Sequence, residues 1–274
     1  MKKFKKKFNF FLVLLQVFKF KINKKSFAFN PKKSNIPVLY INLKRSKKRN
    51  EVISNDLKSK FNFIYRIDAV DARDFIDGEN FYKKNIKSIS YDFNDFFGSQ
   101  KTGLAVTLSH LIAIKKISDM NFDYSLVLED DANLEYFFHW GINLKEIVEK
   151  APKNFDIIKL HSRKNLQNLK LLNNNKLFRK IHQPVVEEVS SMALLWSKKG
   201  IKKTMSYMKN DEFKFTRRDS NKLVCDYLLY NINETYDFTQ PLIYGNPFES
   251  LIGHQKPYHL ERILMKTIYS FKNN

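Results

Sequence analysis

Short apolar runs alternate with amphipathic segments from residue 36 to residue 245, and this alternation limits the fold more than any other feature of the chain. The runs IPVLYINL (36–43), FNFIYRIDAV (61–70), YSLVLE (124–129), FDIIKLH (155–161) and SSMALLWS (190–197) are the length of buried strands and rich in β-branched or aromatic residues. DFTQPLIYG (237–245) is a last extended piece. Between them, residues 44–60 carry Val52, Ile53 and Leu57 at helical spacing, and TLSHLIAIKKISDM (107–120) is apolar at 108, 111, 112, 114 and 117. NLEYFFHWGINLKEIVEK (133–150), KKGIKKTMSYM (198–208) and SNKLVCDYLLYNI (220–232) also read as helices. Residues 71–100 read as irregular, and the Asn/Lys/Leu-rich segment of about 25 residues after His161 reads as a surface hairpin or loop. The alternation predicts an α/β domain with a mostly parallel sheet.

At 274 residues and 43% apolar content, the chain can bury one large core or two small ones. Its single cysteine, Cys225, excludes an intramolecular disulfide and favours a reducing compartment. The net charge of +21 invites a nucleic-acid reading. Residues 1–50, however, hold 14 Lys, 2 Arg and no acid, leaving only +5 for the other 224 residues. The body has no basic stripe with interleaved aromatics, so no nucleic-acid partner is expected. The organisation expected is a basic-apolar arm (1–35), a domain (36–255) and a tail (256–274). Within the arm, NFFLVLLQVF is half of the roughly 20 residues that span a bilayer. Three readings stand: a segment lying on an anionic membrane surface, a poor signal or anchor with Ser26-Phe27-Ala28 as cleavage site, or a disordered lysine-rich start.

In YSLVLEDDANLEYF (124–137), an apolar strand runs directly into Glu129, Asp130 and Asp131. Strand ends are where α/β sheets gather ligands. Alternation puts Glu129 and Asp131 on one side and Asp130 on the other. Two converging carboxylates outline a site for a hard divalent cation, Mn²⁺ or Mg²⁺. Equally, Asp131 could cap a helix starting near Ala132 or Asn133.

VLYINLKRSKKR carries Asn42, Leu43, Arg45 and Arg49; FIYRIDAVDA carries Arg66, Ala69 and Asp71; LSHLIAIKKI carries Ser109 and His110; YSLVLEDDANLE is the acidic block. Taken as an ordered set, these blocks resemble glycosyltransferase family 25, the family of lipooligosaccharide galactosyltransferases and procollagen galactosyltransferase domains. Weaker echoes follow in NFDIIKLH, MALLWSKKGIKK and CDYLLY, the last with Asp226. Lys44, Ala72, the displaced Gly103 and Leu251 depart from the pattern.

The resemblance implies a GT-A-like (Rossmann-like) nucleotide-sugar-binding domain and metal-dependent transfer of a sugar with inversion. On that resemblance the sugar expected is galactose, with UDP-galactose as the UDP-sugar donor, and the acceptor expected is a glycan or glycolipid such as lipooligosaccharide. The single cysteine, the poor signal segment and the basic arm lead to the expectation of a cytoplasmic enzyme, peripheral on the inner membrane surface, rather than one in the ER lumen or secretory route. Glu129 and Asp131 are the metal candidates. Asn42, Arg45, Arg49, His110 and Asp130 are candidates for the donor nucleotide, Arg suiting phosphate by its bidentate geometry. Asp226 is the candidate general base, with Glu188 as rival. The plainer readings are a solvated basic helix face for Arg45 and Arg49, a structural histidine for His110 and a surface acid for Asp226. Two other functions remain: a galactosyltransferase acting on hydroxylysine of collagen-like chains, and a non-catalytic membrane-surface binding protein.

Overall fold

A strand covered on both faces carries apolar side chains at nearly every position, and Val38–Asn42 (β1) is buried throughout. The computed structural model of the chain describes residues 32–86, 99–161, 176–181, 190–209, 224–240, 242–246, 248, 262 and 265–266. The arm before residue 32, Glu188 and most of the expected tail lie outside the described residues.

After β1 come Lys47–Lys58 (α1), Ile64–Asp68 (β2), Ile76–Asn85 (α2), Ser99–Met120 (α3) and Tyr124–Glu129 (β3). Ala132–Asn133 (β4), Leu144–Lys150 (α4), Ile157–Lys159 (β5), Phe178–Lys180 (β6) and Ala193–Ser197 (β7) follow. Lys198–Lys209 (α5), Cys225–Ile232 (α6), Thr235–Phe238 (β8) and Tyr244–Gly245 (β9) complete the described elements. Seven strands form one sheet in the order β2-β1-β3-β7-β5-β8-β6, and β4 pairs with β9 in a separate ribbon.

The sheet is mixed rather than mostly parallel. Ladders β1–β2, β1–β3 and β5–β8 are parallel, whereas β3–β7, β5–β7 and β6–β8 are antiparallel. An apolar run does not encode its direction. The stretch between β5 and β7 holds strand β6 and no helix among its described residues, and antiparallel neighbours need no helical crossover.

Alternation along the strands sorts the core into two layers. Val38, Tyr40, Leu126, Leu128 and Leu195 pack on one face with Ile53 and Leu57 of α1 and Leu144 and Ile147 of α4. Leu39, Ile41, Val127, Leu194 and Trp196 pack on the other with α3, α5 and α6. Each such buried side chain contributes roughly 1.5–3 kcal/mol.

Two expectations change. Residues 71–100 contain α2, whose buried positions are only Gly78 and Tyr82, too few to make a visible period. The helix expected over 133–150 begins only at Leu144, where Asn143 and Glu146 form a reciprocal capping box. Before it lie β4, a 3-10 turn at Phe137–His139 and Gly141 in the left-handed region at φ 71°.

Gly200 shows how tightly α5 sits on the sheet. A Cβ there would stand 2.6 Å from the backbone oxygen of Asp156, and backbone cannot swing aside. Gly200→Ala should therefore destabilise the protein by about 1–3 kcal/mol, although alanine is ordinarily the better helix former by about 1 kcal/mol. Urea melts of the two proteins check it; an unchanged or raised midpoint would refute the close approach.

Candidate active site

The parallel strands β1, β2 and β3 end together, and the residues just past them line a cleft of about 440 Å³. Leu43, Arg45 and Arg49 come from the β1 side, Ala69–Arg73 from the β2 side and Glu129–Asp131 from β3. The opposite wall is the first half of α3, including Lys101, Thr102, Ser109 and His110. That helix is two turns longer than its periodicity indicates, and the added turns supply Lys101, Thr102, Ala105 and Val106. Ser109 ties the wall to the sheet by accepting from the backbone N–H of Val70 at 2.9 Å.

The three acids divide according to the sheet's two faces. Asn42 and Asp130 share the face of α1. Asn42 Nδ2 donates to Asp130 at 2.8 Å, and Arg49 Nη1 donates to its other oxygen at 2.9 Å. Burial pushes the Asp130 carboxyl above its ordinary range; Arg49 and Asn42 pull it back, and Asp131 adds to the rise. Arg49 is thus no solvated helix residue: its side chain is only 12% exposed and lies 5.3 Å from the Phe248 ring.

Glu129 faces the α3 layer instead. Its Oε1 accepts from the Ser191 hydroxyl at 2.6 Å and lies 3.5 Å from His110 Nε2. Neither ring nitrogen of the buried His110 has a hydrogen-bond partner among the described residues. Asp131 begins no helix: Asp130 and Asp131 form a turn, and β4 follows. The capping reading of Asp131 is therefore overturned, since no helix end is present to be capped. Its backbone oxygen accepts from Asn246 at 2.7 Å, which docks β9 onto the turn.

Arg45 lies at the mouth, with Nε donating to Asp71 at 2.6 Å. Arg73 approaches the same carboxylate at 3.4 Å. Burial works to raise the Asp71 carboxyl, but the Arg45 hydrogen bond, the Arg73 backbone N–H and the two positive charges outweigh it and hold it below the usual range. Arg45 and Arg73 from the strand ends and Lys101 from α3 outnumber Asp71 in this part of the cleft.

Asp226 does not line the cleft. It is buried in the first turn of α6 and couples electrostatically to Glu129 and His110, so the surface-acid reading fails. Burial, reinforced by Glu129, raises its carboxyl to about 6 against the opposing pull of Lys159. Lys159 is fully buried, 3.2 Å from the equally buried Asp237 and 5.2 Å from the Tyr230 ring. Sequence reasoning missed Ser191, Lys159, Arg73 and Lys101. Only Lys159 carried a local signal, a cation inside the apolar run IIKL.

A family model described as glycosyltransferase family 25 (LPS biosynthesis protein) matches residues 35–217. The chain belongs to glycosyltransferase family 25. It is accordingly a glycosyltransferase, and the matched region contains every residue lining the cleft. Asp226 lies beyond it. A solved structure, that of a glycosyltransferase involved in the glycosylation of the major capsid of PBCV-1, aligns with 85% of this chain and 100% of its own at 10% identity and TM-score 0.41. A search of curated proteins returned no match.

Two predictions follow from the charges. Arg49→Met strands Asp130 as a buried anion and should cost about 3–5 kcal/mol at neutral pH. Adding Asp130→Asn removes that anion and should restore most of the loss; denaturant melts of the cycle decide it, and equal losses in both variants would refute the pairing. For Asp226, a carboxyl raised from 3.8 to about 6 keeps its proton in the fold where the unfolded chain has released it. Stability should therefore fall as pH rises through that window, by on the order of 3 kcal/mol. Asp226→Asn should flatten this decline and match or exceed the parent's melting temperature at pH 7.5; a clear loss there would show that Lys159 and Tyr230 outweigh the burial.

Proposed function

We propose that this family 25 enzyme transfers a hexose, with galactose from UDP-galactose the leading choice, with inversion to a hydroxyl of a glycan acceptor such as lipooligosaccharide. The observation that carries the reading is the cleft itself, which brings Arg45, Arg73 and Lys101 together with Glu129 and Asp131 at the end of β3. Galactose and UDP rest on the family resemblance alone. The mixed sheet with its ligand cleft at the ends of β1–β3 is compatible with a GT-A-like domain.

A nucleoside diphosphate leaves only if its growing negative charge is stabilised. Arg45, Arg73 and Lys101 stand where they could meet the diphosphate, and Asn42 and Arg49 act indirectly by fixing Asp130 and the strand end. The donor chemistry of the acidic turn fits a divalent cation. Glu129 and Asp131 both face the cleft, and carboxylate oxygens suit Mn²⁺ or Mg²⁺. Among the described residues, no group of three or more His, Cys, Asp or Glu is arranged to hold a metal. Two protein carboxylates would therefore share the ion with diphosphate and water oxygens. When bound, such an ion supplies Lewis-acid stabilisation of the leaving diphosphate.

The Ser191 hydroxyl holds the Glu129 carboxylate in place, with the His110 ring beside it. Asp226 is the proposed base: its Oδ1 has no hydrogen-bond partner among the described residues, and an acid near 6 is matched to proton abstraction at neutral pH. An acceptor would then approach from the Glu129 side of the cleft, behind which Asp226 is buried.

The test is nucleotide release from UDP-galactose, UDP-glucose and UDP-N-acetylglucosamine with Mn²⁺ or with EDTA, for the parent, Glu129→Gln and Asp131→Asn. Release should depend on the metal and fall at least a hundredfold in both variants, while their metal-free melting temperatures stay near the parent's. Full activity in both variants, or in EDTA, would remove the metal from the mechanism.

A further inference from the structure

The cleft occupies one end of the sheet, and the opposite end has a different surface. There, at the starts of β2 and β3, Phe63 is 45% and Tyr124 36% exposed. Phe122, just before β3, lies 6.5 Å from Phe63 and 6.4 Å from Tyr65, and Tyr124 stacks on Phe155 at 6.1 Å. Lysines surround these rings. Lys153 is exposed beside Phe155, Lys198 pairs with Asp123 at 3.4 Å, and Lys199 reaches buried Asp156 at 3.1 Å.

The chain also enters the fold at this end. Ser34 bridges to Phe61, its N–H donating to Lys60 O at 2.8 Å and its O accepting from Asn62 N–H at 3.0 Å, so exposed Lys32 and Lys33 immediately precede the segment paired beside residues 60–62. The 31 residues before them contain nine lysines and no acid. Exposed rings ringed by long cationic side chains match a lipid–water interface: the rings enter the headgroup layer and the ammonium groups meet anionic phosphates.

We propose that this end of the sheet, centred on Phe63 and Tyr124, is a membrane-docking face for anionic lipid. The inference is independent of the sugar-transfer reading. It orients the molecule, because β1 separates the face from the cleft by about 17 Å of strand. The cleft then opens away from the bilayer, toward acceptor hydroxyls that project from the surface.

Ile76 provides an internal control. It is more exposed, at 62%, but begins α2 at the cleft end, next to the cleft-lining Arg73. The full chain is to be floated with vesicles of phosphatidylcholine containing 30% phosphatidylglycerol. Phe63→Ser/Tyr124→Ser should lower partitioning about tenfold while still melting cooperatively, whereas Ile76→Ser should leave partitioning unchanged. Equal partitioning of the double variant and the parent, or an equal loss in Ile76→Ser, overturns the proposal. A second readout places an environment-sensitive fluorophore on a cysteine introduced at 124 or at 76. Vesicles should blue-shift the probe at 124 only. A probe at 124 that stays in water while the protein floats overturns the face, leaving the N-terminal lysines as the contact.

Discussion

Asp130 is a carboxylate buried at the end of a central strand, and such a group is tolerated only when cations and donors meet it. Arg49 from α1 and Asn42 from β1 do so, one on each oxygen. This pairing sets the register of the site. It requires β1 and β3 to be in-phase neighbours, which their parallel ladder provides, with Ile41 opposite Glu129. It also requires α1 to return along one face of the sheet, where Ile53 and Leu57 bury. With Asp130 committed to that face, strand alternation turns Glu129 to the other, against His110 and Ser191.

A second concentration of charge lies deeper. Lys159 and Asp237 are both fully buried, and Arg179 also meets Asp237. Burying an ion pair seldom stabilises a fold relative to apolar packing, so its presence calls for another reason. Its position supplies one: Lys159 opposes the rise in the Asp226 carboxyl that burial and Glu129 produce. The buried charges thus form two linked groups at the same end of the sheet, one around Asp130 and one around Asp226, with Glu129 between them.

Much of the architecture was legible in the sequence. The runs at 36–43, 61–70, 124–129, 155–161 and 190–197 all hold strands, because a doubly covered strand must be apolar at consecutive positions. Directions and partners were not legible. β7 looks like any other apolar run, yet it lies antiparallel between β3 and β5. The 133–150 segment misled for a related reason: its aromatic residues mimic a helical face, but Phe137 and Trp140 are buried from a 3-10 turn whose Trp140 Nε1 donates to Leu242 O, 102 residues away.

At the site, the acidic triplet and the arginines after β1 were visible as residue types, and the two-residue period of a strand was enough to separate Glu129 from Asp130. What each carboxylate touches was decided by tertiary structure alone. Ser191 lies 62 residues from Glu129 and Asp130 lies 88 from Asn42; no local pattern joins them. The sequence by itself determined the five apolar strand segments β1, β2, β3, β5 and β7 and that three acids follow the third, since these follow from side-chain chemistry and backbone period. The order of the strands, the cation assigned to each acid and the burial that lifts Asp226 depend on which distant segments pack together, and only the folded chain decides that.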